Sequence, residues 1–291
     1  MKLLKKLTAY ALSLLIIALT PCVMASDTYV EIDGFSFTIN SSGEAVIHEY
    51  NGRSKDVVIP NKLMGAVVTE IDDYAFFGQN ELTSVSFEDA TGLKRIGIDA
   101  FYGCTGLTEV SIPDCVTKID FGAFQDCAGL ELATVGSGAT TLSKQLFYGC
   151  TSLRRVILPD TMQSLDEMCL GNCDALAEVE IPDSVNAIAD NFSIGSDKLV
   201  MFCNEGSYTD TYANSNALPV KYIREYVLGD ANLDGSFNIL DATIIQKYKI
   251  GQVYIPEFRG INYADVNGDG TVTIRDATLI QMKLARIITE F

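Results

Sequence analysis

Two segments near the C-terminus carry oxygen-bearing side chains at the spacing of a calcium-binding loop. The first segment runs from Asp230 to Asp241, and the second runs from Asp265 to Asp276, 35 residues further along the chain. Both place oxygen ligands at loop positions 1, 3, 5, 9 and 12, and a glycine at position 6, where the loop must turn sharply. The sequence therefore predicts two Ca²⁺ ions, one bound by Asp230, Asn232, Asp234, Ser236, Asn238 and Asp241 and the other by Asp265, Asn267, Asp269, Thr271, Thr273 and Asp276.

The ligands of each loop have different expected roles. Ser236 is expected to bind through its backbone carbonyl, Asn238 through a water molecule and Asp241 as a chelating carboxylate, and the second loop repeats these roles. Two loops of Asx turns without metal are the alternative. They would leave clustered carboxylates without a counter-charge, and like charges that share a site oppose ionisation.

The sequence around the loops departs from an EF-hand in two respects. Position 12 is Asp in both loops, where an EF-hand has Glu. No helix is expected before the first loop, because Val220–Ile223 favours a strand. A helix is expected after each loop, over Ala242–Ile250 and over Ala277–Ile288.

The two halves of residues 225–291 are duplicated beyond the loops themselves. Each loop leads into Asp-Ala-Thr and an apolar helix with a glutamine at an equal offset, Gln246 and Gln281. This pattern resembles a type I dockerin domain, which is a small all-α domain with two EF-hand-like calcium loops. The resemblance implies calcium-dependent folding. It also implies a cohesin module of a scaffoldin as the partner, within the cellulosome of anaerobic plant-degrading bacteria.

The resemblance further implies which residues contact the cohesin. In the family they lie at loop positions 10 and 11 and on the following helix, and here they are Ile239, Leu240, Gln246, Lys247, Ile274, Arg275, Gln281 and Met282. The pair at positions 10 and 11 differs between the two halves, Ile239–Leu240 against Ile274–Arg275, which argues against the strict two-orientation binding of the family. The alternative for Ile239 and Ile274 is that they pack in the domain's own core.

Upstream of these loops the chain repeats itself about every 23 residues. An Ala-Phe or equivalent pair is followed by a Cys and then by Leu-x-x-Val-x-Ile-Pro, as in Leu107–Pro113 and Leu176–Pro182. A unit of this length cannot bury its own apolar face, so stacked coils must share one core. The alternating Val-x-Ile segment favours a short parallel strand, which the proline ends. The pattern therefore predicts a solenoid.

The segment Ile96–Pro113 carries a second resemblance, to the BspA-type leucine-rich repeat, over about residues 28–224. It implies an α/β leucine-rich-repeat solenoid of short parallel strands with 23-residue repeats, in residues 26–224, before the dockerin. Ala45–Pro60 resembles the family's opening coil, and Gly206–Ala213 resembles its closing cap, a short polar helix. Such domains are typical of surface and secreted binding proteins of bacteria, whose ligands vary.

Four cysteines recur at one repeat position and form a column, Cys104, Cys127, Cys150 and Cys173. In a secreted chain, one interpretation of such a column is that the cysteines form disulfides or bind a metal ion. However, a linear column does not converge on a zinc ion, and the spacing between coils, about 4.8 Å, exceeds the Cβ separation of a disulfide. We therefore expect buried free thiols that act as small apolar filler.

Residues 1–25 have the pattern of a secretory signal peptide. Three lysines precede the apolar block Ala11–Leu19, and Val23-Met24-Ala25 supplies a small-residue cleavage site. We expect cleavage after Ala25, a secreted and extracellular location on a cellulosome or cell surface, and no membrane span in the mature chain. One alternative is an uncleaved membrane anchor, because the apolar run is about long enough to span a bilayer. The other is a lipoprotein at Cys22, and the proline before Cys22 disfavours it.

Composition restricts the function further. A net charge of −17 disfavours nucleic acid and anionic membranes as partners. The chain has no Trp and a single His, the repeats leave no length for a catalytic fold, and His48 is expected to be a solvated strand residue. We predict a non-catalytic component whose strand face presents Ser111, Thr134, Ile157 and Glu180 to a protein or polysaccharide ligand. The alternatives are an accessory enzyme of polysaccharide catabolism with glycoside-hydrolase-type activity, and a structural spacer or adhesin.

Overall fold

The computed structural model describes residues 29–87, 89–223, 228–232, 236–250, 263–269 and 271–290. The chain divides between Lys221 and Tyr222 into two compact units. The predicted signal peptide, residues 1–25, and the predicted ligand Asp234 lie outside the described residues. Within the ranges given, no helix has both the length and the apolar character that crossing a bilayer requires.

The first unit is a solenoid in which short strands recur at the same points of successive coils. Its strands are β1 (Val30–Ile32), β2 (Phe35–Ile39), β3 (Ala45–Tyr50), β4 (Asp56–Val58), β5 (Lys62–Leu63), β6 (Ala66–Ile71), β7 (Ser84–Ser86), β8 (Arg95–Ile96), β9 (Glu109–Ser111), β10 (Lys118–Ile119), β11 (Leu132–Thr134), β12 (Thr141–Leu142), β13 (Arg155–Ile157), β14 (Ser164–Leu165), β15 (Glu178–Glu180), β16 (Ala187–Ile188), β17 (Val200–Cys203) and β18 (Val220–Tyr222).

Two sets of parallel strands run along the solenoid. In one set β4 pairs with β7, β9 with β11, β11 with β13, and β15 with β17. The other set contains β3, β6, β8 and β10, followed by β12, β14 and β16. Val110 lies opposite Ala133, which lies opposite Val156, so the 23-residue step aligns equal repeat positions. The predicted leucine-rich-repeat solenoid of short parallel strands is confirmed.

A column of stacked phenylalanine rings fills the core of the solenoid. Phe76, Phe101, Phe124 and Phe147 are fully buried, and successive ring centroids are 4.7, 4.9 and 5.9 Å apart. The repeated leucines form a second buried column that includes Leu107. Each apolar position of the repeat therefore becomes one strip of a continuous core, as the periodicity predicts.

Different elements cover the two ends of the solenoid. At the start, β1 pairs with β2 and β2 pairs with β3, and both pairs are antiparallel. At the other end lies helix α1 (Tyr208–Ser215), which Ser207 caps by accepting a hydrogen bond from the backbone N–H of Asp210. This helix matches the short closing helix expected from the sequence.

The second unit contains helices α2 (Ile239–Lys249) and α3 (Ile274–Leu284). Both begin three residues earlier than predicted, because Asn238 and Thr273 act as their N-caps. Helix α3 also ends earlier than the predicted Ile288. Arg286 adopts a left-handed conformation with φ 58°, and the N–H of Ile287 donates to the carbonyl of Met282 at 2.9 Å, which closes the helix with a Schellman motif.

Candidate calcium and docking site

Asn238 and Asp241 join the end of the first loop to helix α2. Asn238 Oδ1 accepts a hydrogen bond from the N–H of Leu240 at 2.8 Å, and Asp241 Oδ2 accepts one from the N–H of Asn238 at 2.8 Å, which is a capping box. Asp241 Oδ1 also accepts from the N–H of Asn232 at 3.3 Å. The fully buried carboxylate of Asp241 therefore connects the start of the loop to its end.

The second loop repeats this arrangement with Thr273 and Asp276. Asp276 Oδ2 accepts from both the N–H and the hydroxyl of Thr273, at 2.7 and 3.0 Å, and Thr273 Oγ1 accepts from the N–H of Arg275 at 3.1 Å. The other carboxylate oxygen, Asp276 Oδ1, is buried and has no hydrogen-bond partner. One oxygen of the position-12 carboxylate thus caps the helix, and the other remains available for a different ligand.

The earlier positions of the second loop organise their own backbone. The N–H of Asp269 donates to Asp265 Oδ1 at 3.2 Å and to Asn267 Oδ1 at 2.9 Å. Asp269 Oδ1 accepts from the hydroxyl and the N–H of Thr271, and these bonds hold the pKa of Asp269 below its usual value. The loop is therefore shaped by Asx turns at the positions predicted to bind metal.

Within the described residues, no three carboxylate, thiol or imidazole groups converge on a point that would hold a metal ion. The donor chemistry nevertheless fits calcium. Asp230, Asp241 and Asp276 are fully buried carboxylates, and a buried carboxylate is stable only when it is paired or binds a metal. The unpartnered Asp276 Oδ1 lies at the position where a calcium loop has its chelating ligand. Ser236, in contrast, is exposed, as expected if only its backbone carbonyl is used.

A small apolar core packs the two loop–helix halves together. Ala242 and Ile245 of α2 and the equivalent Ala277 and Ile280 of α3 are all fully buried, and they lie in one cluster with loop residues such as Val266. The 35-residue duplication read from the sequence is thus also a duplication of buried positions.

The residues predicted to contact a partner lie mainly on the surface of this unit. Ile239, Leu240 and Ile274 are 54%, 54% and 50% exposed, and therefore do not pack in the core. Met282 is half-buried, whereas the remaining polar candidates are exposed, namely Gln246, Lys247, Arg275 and Gln281. Exposed apolar side chains at the start of both helices leave two apolar sites on the surface.

Comparison with known families agrees with both halves of this architecture. Residues 69–200 match the model described as "BspA type Leucine rich repeat region", in six copies, and residues 228–285 match "Dockerin type I domain". The chain carries BspA-type leucine-rich repeats and a type I dockerin domain. Type I dockerin domains bind calcium. No curated protein matches the chain.

Solved structures resemble the repeat region. A leucine rich cell surface protein from Faecalibacterium prausnitzii A2-165 is 26% identical with a TM-score of 0.50, over 62% of this chain and 55% of that protein. The T. pallidum leucine-rich repeat protein is 23% identical with a TM-score of 0.57, over 67% of this chain and 98% of that protein. This chain thus spans only about half the length of the first relative, and the likeness to the second shows the fold alone.

The cysteine column of the BspA-type repeats has a role beyond filling space. All seven described cysteines are free thiols. Cys104, Cys127, Cys150 and Cys173 each donate to the carbonyl of a core phenylalanine in an adjacent coil, at 3.1 to 3.3 Å. Ser196 continues the column and donates to Leu170 O at 2.7 Å. The expected free thiols are present, and they also act as hydrogen-bond donors between coils. Ser196, at the same repeat position, supports this role because its hydroxyl donates in the same way.

His48 lies in strand β3, as predicted, is part-buried and is held there by two neighbours. Its Nδ1 lies 2.7 Å from Asp72 Oδ2, and its Nε2 lies 2.8 Å from Thr38 Oγ1. The prediction did not include these contacts, because Thr38 lies in an antiparallel strand outside the repeat and no histidine recurs at the place of His48 in the later coils. Nearby, Arg95 bridges several coils through Asp73 and Asp120, at 2.5 Å each, and through Glu70.

The strand positions predicted to meet a ligand form a row across the sheet. Ser111, Thr134 and Ile157 lie directly opposite one another. Ser111 is exposed, whereas Thr134, Ile157 and Glu180 are half-buried.

The structure also shows an aromatic strip that the sequence did not predict. Tyr74 and Phe77 are 54% and 52% exposed, and the Phe77 ring stacks on Tyr102 at 4.9 Å.

Proposed function

We propose that this chain is a secreted, non-catalytic component of a cellulosome. Its dockerin binds a cohesin on a scaffoldin in a calcium-dependent way, and its repeats bind a protein or polysaccharide ligand. In this proposal residues 1–25 are a cleaved signal peptide, residues 26–224 form the repeat domain and residues 225–291 form the dockerin. The extracellular location agrees with the similar F. prausnitzii protein, which is described as a cell surface protein.

The dockerin binds two calcium ions in this proposal, through the twelve residues predicted from the sequence. The observation that carries it is the buried Oδ1 of Asp276, which lacks a hydrogen-bond partner at position 12 of the second loop. Asp241 is equally buried at the same position of the first loop. When bound, calcium neutralises these carboxylates, and the chain's own capping boxes hold them in place.

Ile239, Leu240 and Ile274 form the apolar centre of the proposed cohesin-binding surface. Each is about half exposed at the first turn of its helix, beside polar residues such as Arg275. An apolar centre with a polar surround is typical of protein interfaces, and arginine is among the residues that dominate them.

The test is a calorimetric titration of the full mature chain with a cohesin-bearing scaffoldin fragment, with and without a calcium chelator. We expect binding in calcium and none in chelator. Ile239→Asp with Ile274→Asp should weaken binding at least about 30-fold, in the range of interface hot spots. The matched control is Ile250→Asp, because Ile250 is 67% exposed but lies outside the proposed surface. Binding that survives the chelator, or that is insensitive to both isoleucine changes, would overturn the assignment.

The repeats are proposed to bind and not to catalyse. The row Ser111–Thr134–Ile157 and the aromatic strip Tyr74–Phe77 support this role, since exposed aromatic rings suit sugar rings and protein side chains alike. Incubation of the purified chain with plant-wall glycans should release no product. Product release that one carboxylate substitution abolishes would favour the accessory enzyme.

A further inference from the structure

The coils of the solenoid are joined at one edge by a regular series of backbone hydrogen bonds. At this edge, which we call the outer turn, alternate N–H groups of one coil donate to carbonyls of the next coil. The N–H groups of Gln145, Phe147 and Gly149 donate to the following coil at 3.0 Å each. Those of Met168, Leu170 and Asn172 do the same at 3.2, 2.9 and 2.8 Å. Three donors per coil therefore point along the solenoid axis.

The last coil presents the same three donors without a following coil. The equivalent residues, 23 positions further on, are Asn191, Ser193 and Gly195. Within the described residues, none of their three N–H groups has an acceptor. Helix α1 covers only the adjacent part of this end, where the hydroxyl of Tyr212 donates to Ala189 O at 3.1 Å. Among the described residues of the first unit, the end of the outer turn therefore lacks hydrogen-bond acceptors for these donors.

A cleft of about 400 Å³ lies against these donors. Buried apolar side chains form its floor, among them Phe192, Leu199 and Met201, and the exposed apolar side chain is that of Ile194 at the outer turn, which is 53% exposed. The charged side chains that line the cleft, among the residues described, are Asp190 and Asp197. The cleft thus combines three hydrogen-bond donors, an apolar surface and a negative charge.

These features select one class of ligand. Between coils these donors are matched by backbone carbonyls of a polypeptide segment, as Phe147 and Gly149 are by Cys169 and Gly171. A ligand that satisfies them must likewise present carbonyls from a polypeptide that follows the same turn. Two carboxylates disfavour an anionic ligand and favour a basic one. We propose that this end of the solenoid binds a basic segment of a partner polypeptide, which pairs with Asn191, Ser193 and Gly195 as the outer turn of an additional coil would. This inference rests on the proposed binding role of the repeats and identifies the partner class.

The experiment uses the full mature chain in calcium and a phage-displayed library of linear random dodecapeptides as the probe. We expect enrichment of peptides rich in Lys and Arg. The best synthetic peptide should bind at least about tenfold more weakly to the Asp190→Lys/Asp197→Lys variant, because charge complementarity is reversed. It should bind normally to the control Asp160→Lys/Asp174→Lys, which changes two exposed acids elsewhere on the solenoid. Ser193→Pro, which removes the central N–H, should abolish binding, whereas Ser193→Ala retains that N–H and should bind.

Hydrogen exchange provides a measurement that does not depend on the proline variant folding. The peptide should slow exchange of the Asn191, Ser193 and Gly195 amides in the wild-type chain. The proposal is overturned if no peptide is enriched, if the charge-reversed variant binds equally well, or if these amides exchange at an unchanged rate. Protection of the same amides by self-association, without peptide, would also overturn it in favour of a second copy. Cohesin binding, measured on the same variants, should be unchanged, so a failure here is distinct from a failure of the docking proposal.

Discussion

Asp276→Asn should destabilise the dockerin only when calcium is present. Asp276 Oδ2 accepts two hydrogen bonds from Thr273, and Oδ1 has no partner. Asparagine retains one carbonyl oxygen for the bonds to Thr273, so the helix cap is preserved. It replaces the other oxygen by an amide NH₂ group, which cannot bind a cation. The substitution therefore separates the capping role of Asp276 from its proposed role as a ligand.

The expected magnitudes differ between the two conditions. In chelator, the free energy of unfolding should change by less than about 1 kcal/mol, because a complete helix cap contributes only about that much. When the free calcium concentration is about 100 times the dissociation constant, a bound ion stabilises the domain by about 2.7 kcal/mol. A hundredfold weaker site would lose about 2 kcal/mol of this stabilisation.

Differential scanning calorimetry of the full chain, in saturating calcium and in chelator, measures both values. Asp241→Asn should show the same additional loss in calcium, but it should also lose stability in chelator, since Asp241 Oδ1 accepts a hydrogen bond from the N–H of Asn232. Asp210→Asn is the matched control. Asp210 lies in the first turn of α1 and accepts a hydrogen bond from the N–H of Gly206 at 2.9 Å, but it does not belong to a calcium loop. The loss of stability on Asp210→Asn should therefore be equal in both buffers. An equal loss for Asp276→Asn in both buffers would refute the ligand role.

Two further predictions concern the solenoid. Phe124→Ala should lower the free energy of unfolding by about 3–5 kcal/mol in a urea titration, because Phe124 is fully buried. Phe77→Ala, at an exposed ring, should lower it by less than about 1 kcal/mol, and equal losses would contradict the phenylalanine column as the core. Burial raises the pKa of Cys173 to about 12, so this thiol stays protonated at mildly alkaline pH, where the thiolate is the reactive form. Iodoacetamide should therefore modify the half-buried Cys115 first, as read by peptide mass spectrometry, and equally fast labelling of Cys173 would contradict its burial.

The periodic parts of the structure could be predicted from the sequence because a solenoid places equal positions of the repeat side by side. The spacing of Phe101 and Phe124 thus predicts a stacked column. The duplicated loops likewise predict two related helices. The helices begin three residues before the starts that the apolar pattern predicts, because Asn238 and Thr273, which the loop spacing marks as calcium ligands, also cap the helices.

The contacts that depend on side-chain direction could not be predicted in this way. The Cys127 thiol reaches the carbonyl of Phe101, and this bond depends on a rotamer that no periodicity specifies. His48 pairs with Thr38, which lies outside the repeat, and with Asp72, whose side-chain direction no periodicity specifies. Likewise, the exposure of Ile239 depends on its place at the first residue of α2, which becomes clear only once the helix start is known.

The acidic character of the solenoid bears on what occupies the end of its outer turn. Residues 26–225 contain thirty acidic and twelve basic residues, so few positive charges are available on this part of the chain. A second copy that met this end through two-fold symmetry would place Asp190 and Asp197 against the same two carboxylates. Like charges in contact oppose such an association, whereas a basic segment of another polypeptide would be attracted. The charge that disfavours nucleic acid and anionic membranes thus also favours a partner polypeptide over a second copy of the chain.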